Sequence, residues 1–181
     1  MQEYGTHTQA NGRKNDKHRA AIPMIQLVSF HLAGEEYALD ILRVQEIIRT
    51  QELTRVPNSP AFVEGVINLR GRVIPVVGLR KRFGLDPIPA DKHTRIVVVE
   101  VHGTVVGLVV DSVSEVLRIA TDTIAPPPRL GKVEREYIQG VGKLENRLLL
   151  LLDVDHLLSC QEQDQVGHVT RSNDEEEEEQ S

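Results

Sequence analysis

Apolar positions between Ile25 and Leu158 fall in short β-branched runs, not at the three-and-four spacing of an amphipathic helix. Ile25 to Leu32 is apolar with partial alternation. Val63 to Leu69 and Arg72 to Leu79 flank the dipeptide Arg70-Gly71, which predicts a hairpin. Arg95 to Val101 contains Ile-Val-Val-Val, His102-Gly103 predicts a turn, and Val105 to Val110 returns. Tyr137 to Leu144 and Arg147 to Asp153 predict a further hairpin around Glu145-Asn146. Gly78 to Phe83 and Asp153 to Leu158 leave room for one or two helical turns each. Pro75 sits inside a strand and lacks an N–H, so that strand is expected at a sheet edge or bulged there.

The halves of the chain repeat. At an offset of 69, Gly34 meets Gly103, Leu39 meets Leu108, Val44 meets Val113, Glu46 meets Glu115 and Arg49 meets Arg118. After a loop difference the offset becomes 75, where Gly65 meets Gly140, Leu69 meets Leu144 and Arg72 meets Arg147. A constant offset through several strands predicts two similar five-stranded barrels, since short curled strands close to remove their edges. Each half is small, so the barrels are expected to share an aliphatic interface.

Composition and charge sharpen this picture. With no Trp, three Phe and three Tyr in 181 residues, the core must be built from Val, Ile and Leu. The net charge of −6 belongs to the end of the chain, because residues 25–158 carry sixteen basic and seventeen acidic side chains. A balanced body argues against nucleic acid as a partner. The single cysteine, Cys160, excludes an internal disulfide and a cysteine-based zinc site. No apolar run approaches membrane-spanning length and the start is polar, so no direct membrane insertion and a cytoplasmic location are expected. Residues 1–24 read as a disordered arm and 159–181 as an acidic disordered tail.

Positions that differ between the repeats are the candidates for function, since shared ones are explained by the fold. The first hairpin tip reads Asn68-Leu69-Arg70-Gly71 and its counterpart Lys143-Leu144-Glu145-Asn146, so Arg70 stands where the other half has an acid. Gly71 permits the positive φ of a tight turn, and Arg70 then projects a planar five-donor group. The bland alternative is a solvated turn arginine. Glu46 lies between apolar residues, and a Glu46–Arg70 pair across the first barrel is the sharper expectation, against a merely exposed acid on an amphipathic strand. The seven histidines show no metal-ligand spacing, phosphate-binding glycine loops are absent, and no serine or Cys160 sits in a nucleophile motif. Asp153, Asp155 and His156 read as the start of a short helix, not as a metal site. Ala125-Pro126-Pro127-Pro128 reads as a stiff connector. No cofactor or metal is expected.

These residues carry a resemblance. VSFHLAGEEYALDILRVQEIIR at 28–49, PNSPAFVEGVINLRGRVIPVVGLRKRFG at 57–84, VVGLVVDSVSEVLRI at 105–119 and YIQGVGKLENRLLLLLDVDHLL at 137–158 resemble the CheW family of chemotaxis coupling proteins. The resemblance covers 25–158 and implies an all-β fold of two SH3-like five-stranded barrels with short helical turns. The first barrel is expected at about 25–84 and the second at about 94–158, with strand exchange between them open. It implies a non-enzymatic adaptor, recruited to membrane-associated arrays, that joins the cytoplasmic tip of chemoreceptors to the regulatory domain of the histidine kinase CheA. Val44, Thr94, Val113 and Val116 are the implied receptor groove. Glu46, Gly65, Asn68, Arg70, Gly71 and Ile74 are the implied kinase-docking surface. An adaptor for another kinase pathway, such as surface motility, and a small barrel enzyme using Asp111, Asp153 or His156 are the alternatives.

Overall fold

Three dipeptides of the repeat fold the chain back on itself. Ala33-Gly34, Arg70-Gly71 and His102-Gly103 hold φ at 51° and 82°, 54° and 80°, and 47° and 82°. Two successive positive φ values make a type I′ turn, whose twist matches that of the strands it joins. At Arg70-Gly71 the turn is locked further, as Asn68 Oδ1 accepts from the Gly71 N–H at 2.9 Å.

The computed structural model describes residues 21–127 and 136–179. The first repeat gives β1 (Met24–Leu32), β2 (Glu35–Asp40), β3 (Val44–Arg49), β4 (Val63–Leu69), β5 (Arg72–Gly78) and α1 (Leu79–Arg82). The second gives β6 (Arg95–Val101), β7 (Thr104–Val110), β8 (Ser112–Ala120), the two-residue β9 (Ile124–Ala125), β10 (Ile138–Lys143), β11 (Leu148–Leu152) and a 3-10 turn at Val154–His156. Helix α2 (Cys160–Glu179) follows.

The sheets do not respect the repeat boundaries. One sheet runs β3-β6-β7-β5-β4 and the other β8-β1-β2-β11-β10-β9. The expected barrel limits of 25–84 and 94–158 are therefore corrected. The first barrel is β3 to β7, and the second joins β1 and β2 to β8 through β11. Each repeat lends its opening hairpin to the other. Position by position the two orders are the same: β3 and β8, β6 and β1, β7 and β2, β5 and β11, β4 and β10 correspond. Even the irregularities correspond, with register shifts at Val44/Glu46 and Val28/Phe30, and at Val63/Gly65 and Ile138/Gly140. The counterpart of β9 is an isolated bridge from Thr54 to Val66.

Pro75 also differs from expectation. Strand β5 is interior, between β7 and β4. Its pairing with β7 begins only at Val76, so the missing N–H of Pro75 falls before that ladder starts.

Alternation along each strand builds three cores. Ile96 and Val98 of β6 point into the first barrel with Ile67, Ile74 and Val76. Val97, Val99 and Val101 point the other way, into a larger shared core with Phe30, Leu39, Leu108 and Leu152. Leu27, Ala38, Ile119, Leu149 and Leu151 fill the second barrel. Burial on both faces is why these strands read as unbroken aliphatic runs.

The stretch from 159 corrects the sequence reading. Residues Cys160–Glu179 are helical, and Val166 and Val169 are buried. Ser159 and Glu162 form a capping box: Ser159 N–H donates to Glu162 Oε2 at 2.7 Å, and Ser159 Oγ accepts from the Glu162 N–H at 3.3 Å. Of the arm, residues 1–20 lie outside the described residues, as does Pro128 of the proline run.

Candidate functional site

In the sheet orders, β3 and β4 are the two ends of the first barrel, and β8 and β9 those of the second. An ion pair spans the ends of the first barrel. Arg70, at the tip of the β4–β5 turn, donates through Nη1 to Glu46 Oε2 at 2.8 Å and through Nη2 to Glu46 Oε1 at 2.5 Å. This is the pair expected from the sequence. The fork is bidentate and fixes the direction of the guanidinium, while the Arg70 side chain stays 74% exposed.

The second barrel has its own such pair, which the sequence reading missed. Glu115, the counterpart of Glu46, pairs with Arg147, whose Nε also lies 3.3 Å from Glu36 Oε2. The arginine comes from the position matching Arg72, not Arg70. The contrast of Arg70 with Glu145 therefore marks a change of charge at the tip, not a clasp unique to one half.

Four of the ten implied docking residues occupy that first tip at the surface or near it: Glu46, Asn68, Arg70 and Gly71. Gly65 and Ile74 do not. Both are buried, Gly65 at the β4 bulge and Ile74 in the first barrel's interior. They shape the hairpin from within and are corrected as contact residues.

Val44, the first residue of β3, and Val113, the second of β8, occupy matching positions and pack half-buried against the shared core. Val116 is 56% exposed on β8. Thr94 departs from this set. It is buried, and its Oγ1 accepts from the Asp91 N–H at 2.9 Å within a turn that precedes β6. Its role is to close that turn. Leu42, missed in the sequence, is 88% exposed at the crossover from β2 to β3.

Two further ion pairs lock the crossovers between the barrels. Asp111, between β7 and β8, accepts from Arg80 Nε at 2.8 Å and Nη2 at 2.6 Å, and from the Ala33 N–H at 2.9 Å. The Arg80 guanidinium, helped by that N–H, holds the Asp111 carboxyl below the usual carboxylate range against the opposing effect of burial. Between β2 and β3, Arg43 pairs with Asp155 and donates to the Glu100 carbonyl at 3.1 Å. Arg43 likewise holds the Asp155 carboxyl low. Asp155 and Arg80 are counterparts under the repeat, so each crossover is anchored at the same point of the fold, by an acid in one repeat and an arginine in the other.

Asp153 caps the 3-10 turn by accepting from the Asp155 N–H at 3.1 Å, and its other oxygen lies 2.7 Å from His156 Nδ1. Among the described residues no group of three or more His, Cys, Asp or Glu side chains is placed to hold a metal ion, and no helix is long and apolar enough to cross a membrane. A wide hollow of about 660 Å³, lined by Arg82, His102, Asp155, His156 and Cys160 among others, lies beside the start of α2.

Comparison with known proteins places this geometry. The family described as CheW-like domain matches residues 26–162. Chemotaxis protein CheW of Klebsiella aerogenes is 40% identical over 148 residues, covering 81% of this chain and 89% of that protein. Chemotaxis protein CheW of Helicobacter pylori is 37% identical over 135 residues, covering 75% and 82%. The crystal structure of the scaffolding protein TtCheW from Thermoanaerobacter tengcongensis aligns with a TM-score of 0.72 at 36% identity, over 77% of this chain and 96% of that one. The all-β architecture of two SH3-like barrels expected from the sequence is the fold observed.

Proposed function

Because the chain belongs to the CheW-like family of chemotaxis scaffolds, we propose that it couples chemoreceptors to the histidine kinase CheA by binding both, without catalysing a reaction. The observation that carries this reading is the placement of two exposed features on two different barrels. Arg70, aimed by Glu46, tops the first barrel, and Val116 stands on the outer strand of the second. A body with one contact surface on each barrel holds two partners side by side, and arraying multiplies weak contacts through effective concentration.

In this reading the tip around Arg70, Asn68 and Gly71 meets the regulatory domain of CheA. The rim formed by Val44, Val113 and Val116 takes an apolar helix face of a receptor tip. Recruitment to the membrane then comes through the receptor.

Each surface has its own test. Arg70→Glu sets a carboxylate against Glu46 and reverses the charge offered to the partner. Co-sedimentation with CheA is expected to fall about tenfold or more, while the thermal midpoint moves by no more than about 2 °C. Undiminished kinase binding and control by that variant defeats the assignment. Val116→Asp is expected to abolish receptor pull-down and keep CheA binding. Val113→Asp is a poorer probe, because Val113 packs on the shared core and its loss disturbs folding. Retention of receptor by Val116→Asp, or recovery of a different kinase from a pull-down, overturns the partner assignment.

A further inference from the structure

We propose that α2 is a releasable strap that sets the two barrels against each other through Arg82. The guanidinium of Arg82, on α1 of the first barrel, meets three separate parts of the chain. It lies 4.6 Å from the ring centroid of Phe62, at the approach to β4, and 5.2 Å from that of Tyr137, at the approach to β10 in the second barrel. Its two terminal nitrogens donate to the two oxygens of Glu162 on α2, each at 2.8 Å. One side chain thus joins both barrels and the helix, with rings stacked on a cation that a carboxylate holds in place. The strap itself packs on β4 and β5 and places Val166 in the shared core.

Three features make this contact releasable. Only Val166 and Val169 of the described helix side chains are buried hydrophobics, a small apolar anchor. Gly167 sits between them in mid-helix, yet a Cβ there meets nothing within 4 Å. Packing does not require a glycine at that point, and glycine is among the weakest helix formers. The docked arrangement also leaves Arg82 Nε buried without an acceptor, a cost that undocking removes. Both anchoring valines lie beyond Glu162, where the match to the family ends. The strap thus rests on residues past the family match and goes beyond the adaptor reading.

Hydrogen–deuterium exchange on the full chain tests the strap without any partner, so its failure is separate from failure of the adaptor reading. Gly167→Ala is expected to slow exchange of the α2 amides by about fivefold, and to slow the segments around Phe62 and Tyr137 in step. Glu162→Gln keeps the capping box, which glutamine also completes, and removes the charge that holds Arg82. It is expected to speed exchange in all three places. If either variant changes α2 alone while the Phe62 and Tyr137 segments keep wild-type rates, α2 is a passive terminal helix and the proposal fails. Wild-type rates everywhere in both variants overturn it equally.

Discussion

Gly65→Ala is expected to destabilise the protein by about 3 kcal/mol or more, the joint cost of a strained backbone and an overlap that cannot relax. Gly65 holds φ at +151°, where side-chain-bearing residues are rare, and an added Cβ falls 2.5 Å from the carbonyl oxygen of Thr54. That carbonyl cannot withdraw freely. Thr54 and Val66 exchange two backbone hydrogen bonds, at 3.0 and 2.8 Å, and these form the bridge across the first barrel's edge. The repeat supplies a control. At Gly140 the nearest atom to an added Cβ is a methyl of Ile124 at 2.7 Å, with the Ala125 carbonyl at 3.1 Å, and φ is not positive. A side chain gives way more readily than a backbone, so Gly140→Ala should cost less. Urea unfolding of both variants measures the difference. The Gly65 variant should also melt roughly 6–12 °C lower than wild type. Equal midpoints for Gly65→Ala and wild type would mean that the bulge does not confine the chain as described.

Runs such as Ile96 to Val99 announced strands, because a strand buried on both faces has no polar side to show. The offsets of 69 and 75 announced two like barrels. Which copy of a strand pairs with which was invisible. The β3 edge of Val44 to Arg49 fits β6 as well as it fits β1, since the two partners are alike by descent of pattern. Exchange is a choice between equal local options, made by the path of the crossovers. The second clasp escaped for a related reason. The first hairpin turns in two residues, with Leu69 opposite Arg72, while the other needs four, with Lys143 opposite Leu148. Matching positions by number set Arg70 against Glu145, although a wider loop lets Arg147 reach the equivalent acid. The start of α2 is legible in Ser159 and Glu162 three residues apart, followed by Val166 and Val169, but the acidic run at the end of the chain has the composition of a disordered tail and masks that signal.

Asp111→Asn should cost about 2 kcal/mol, less than a fully buried pair because the carboxylate keeps some access to solvent. Asparagine fills the same space, yet it cannot return two charged acceptor oxygens to Arg80 while also receiving the Ala33 N–H. Arg80 is then left half-buried beside a neutral group, which is where most of the loss arises. The location magnifies the effect. Asp111 is the single residue between β7 and β8, and it ties α1 of the first barrel to the β1–β2 turn of the second. The sign of the pH dependence follows from its depressed carboxyl. The stabilisation is complete above the ordinary aspartate range near ~4 and is lost as pH falls through the lower folded value. Wild-type stability should therefore drop below about pH 4, and Asp111→Asn should remove part of that slope while leaving the Asp155 share. Replacing both partners, as in Arg80→Leu with Asp111→Leu, should cost less than the two single changes together, since no unpaired charge remains. Additive losses in that cycle, or an unchanged acid slope in Asp111→Asn, would show that the crossover is held by packing rather than by this ion pair.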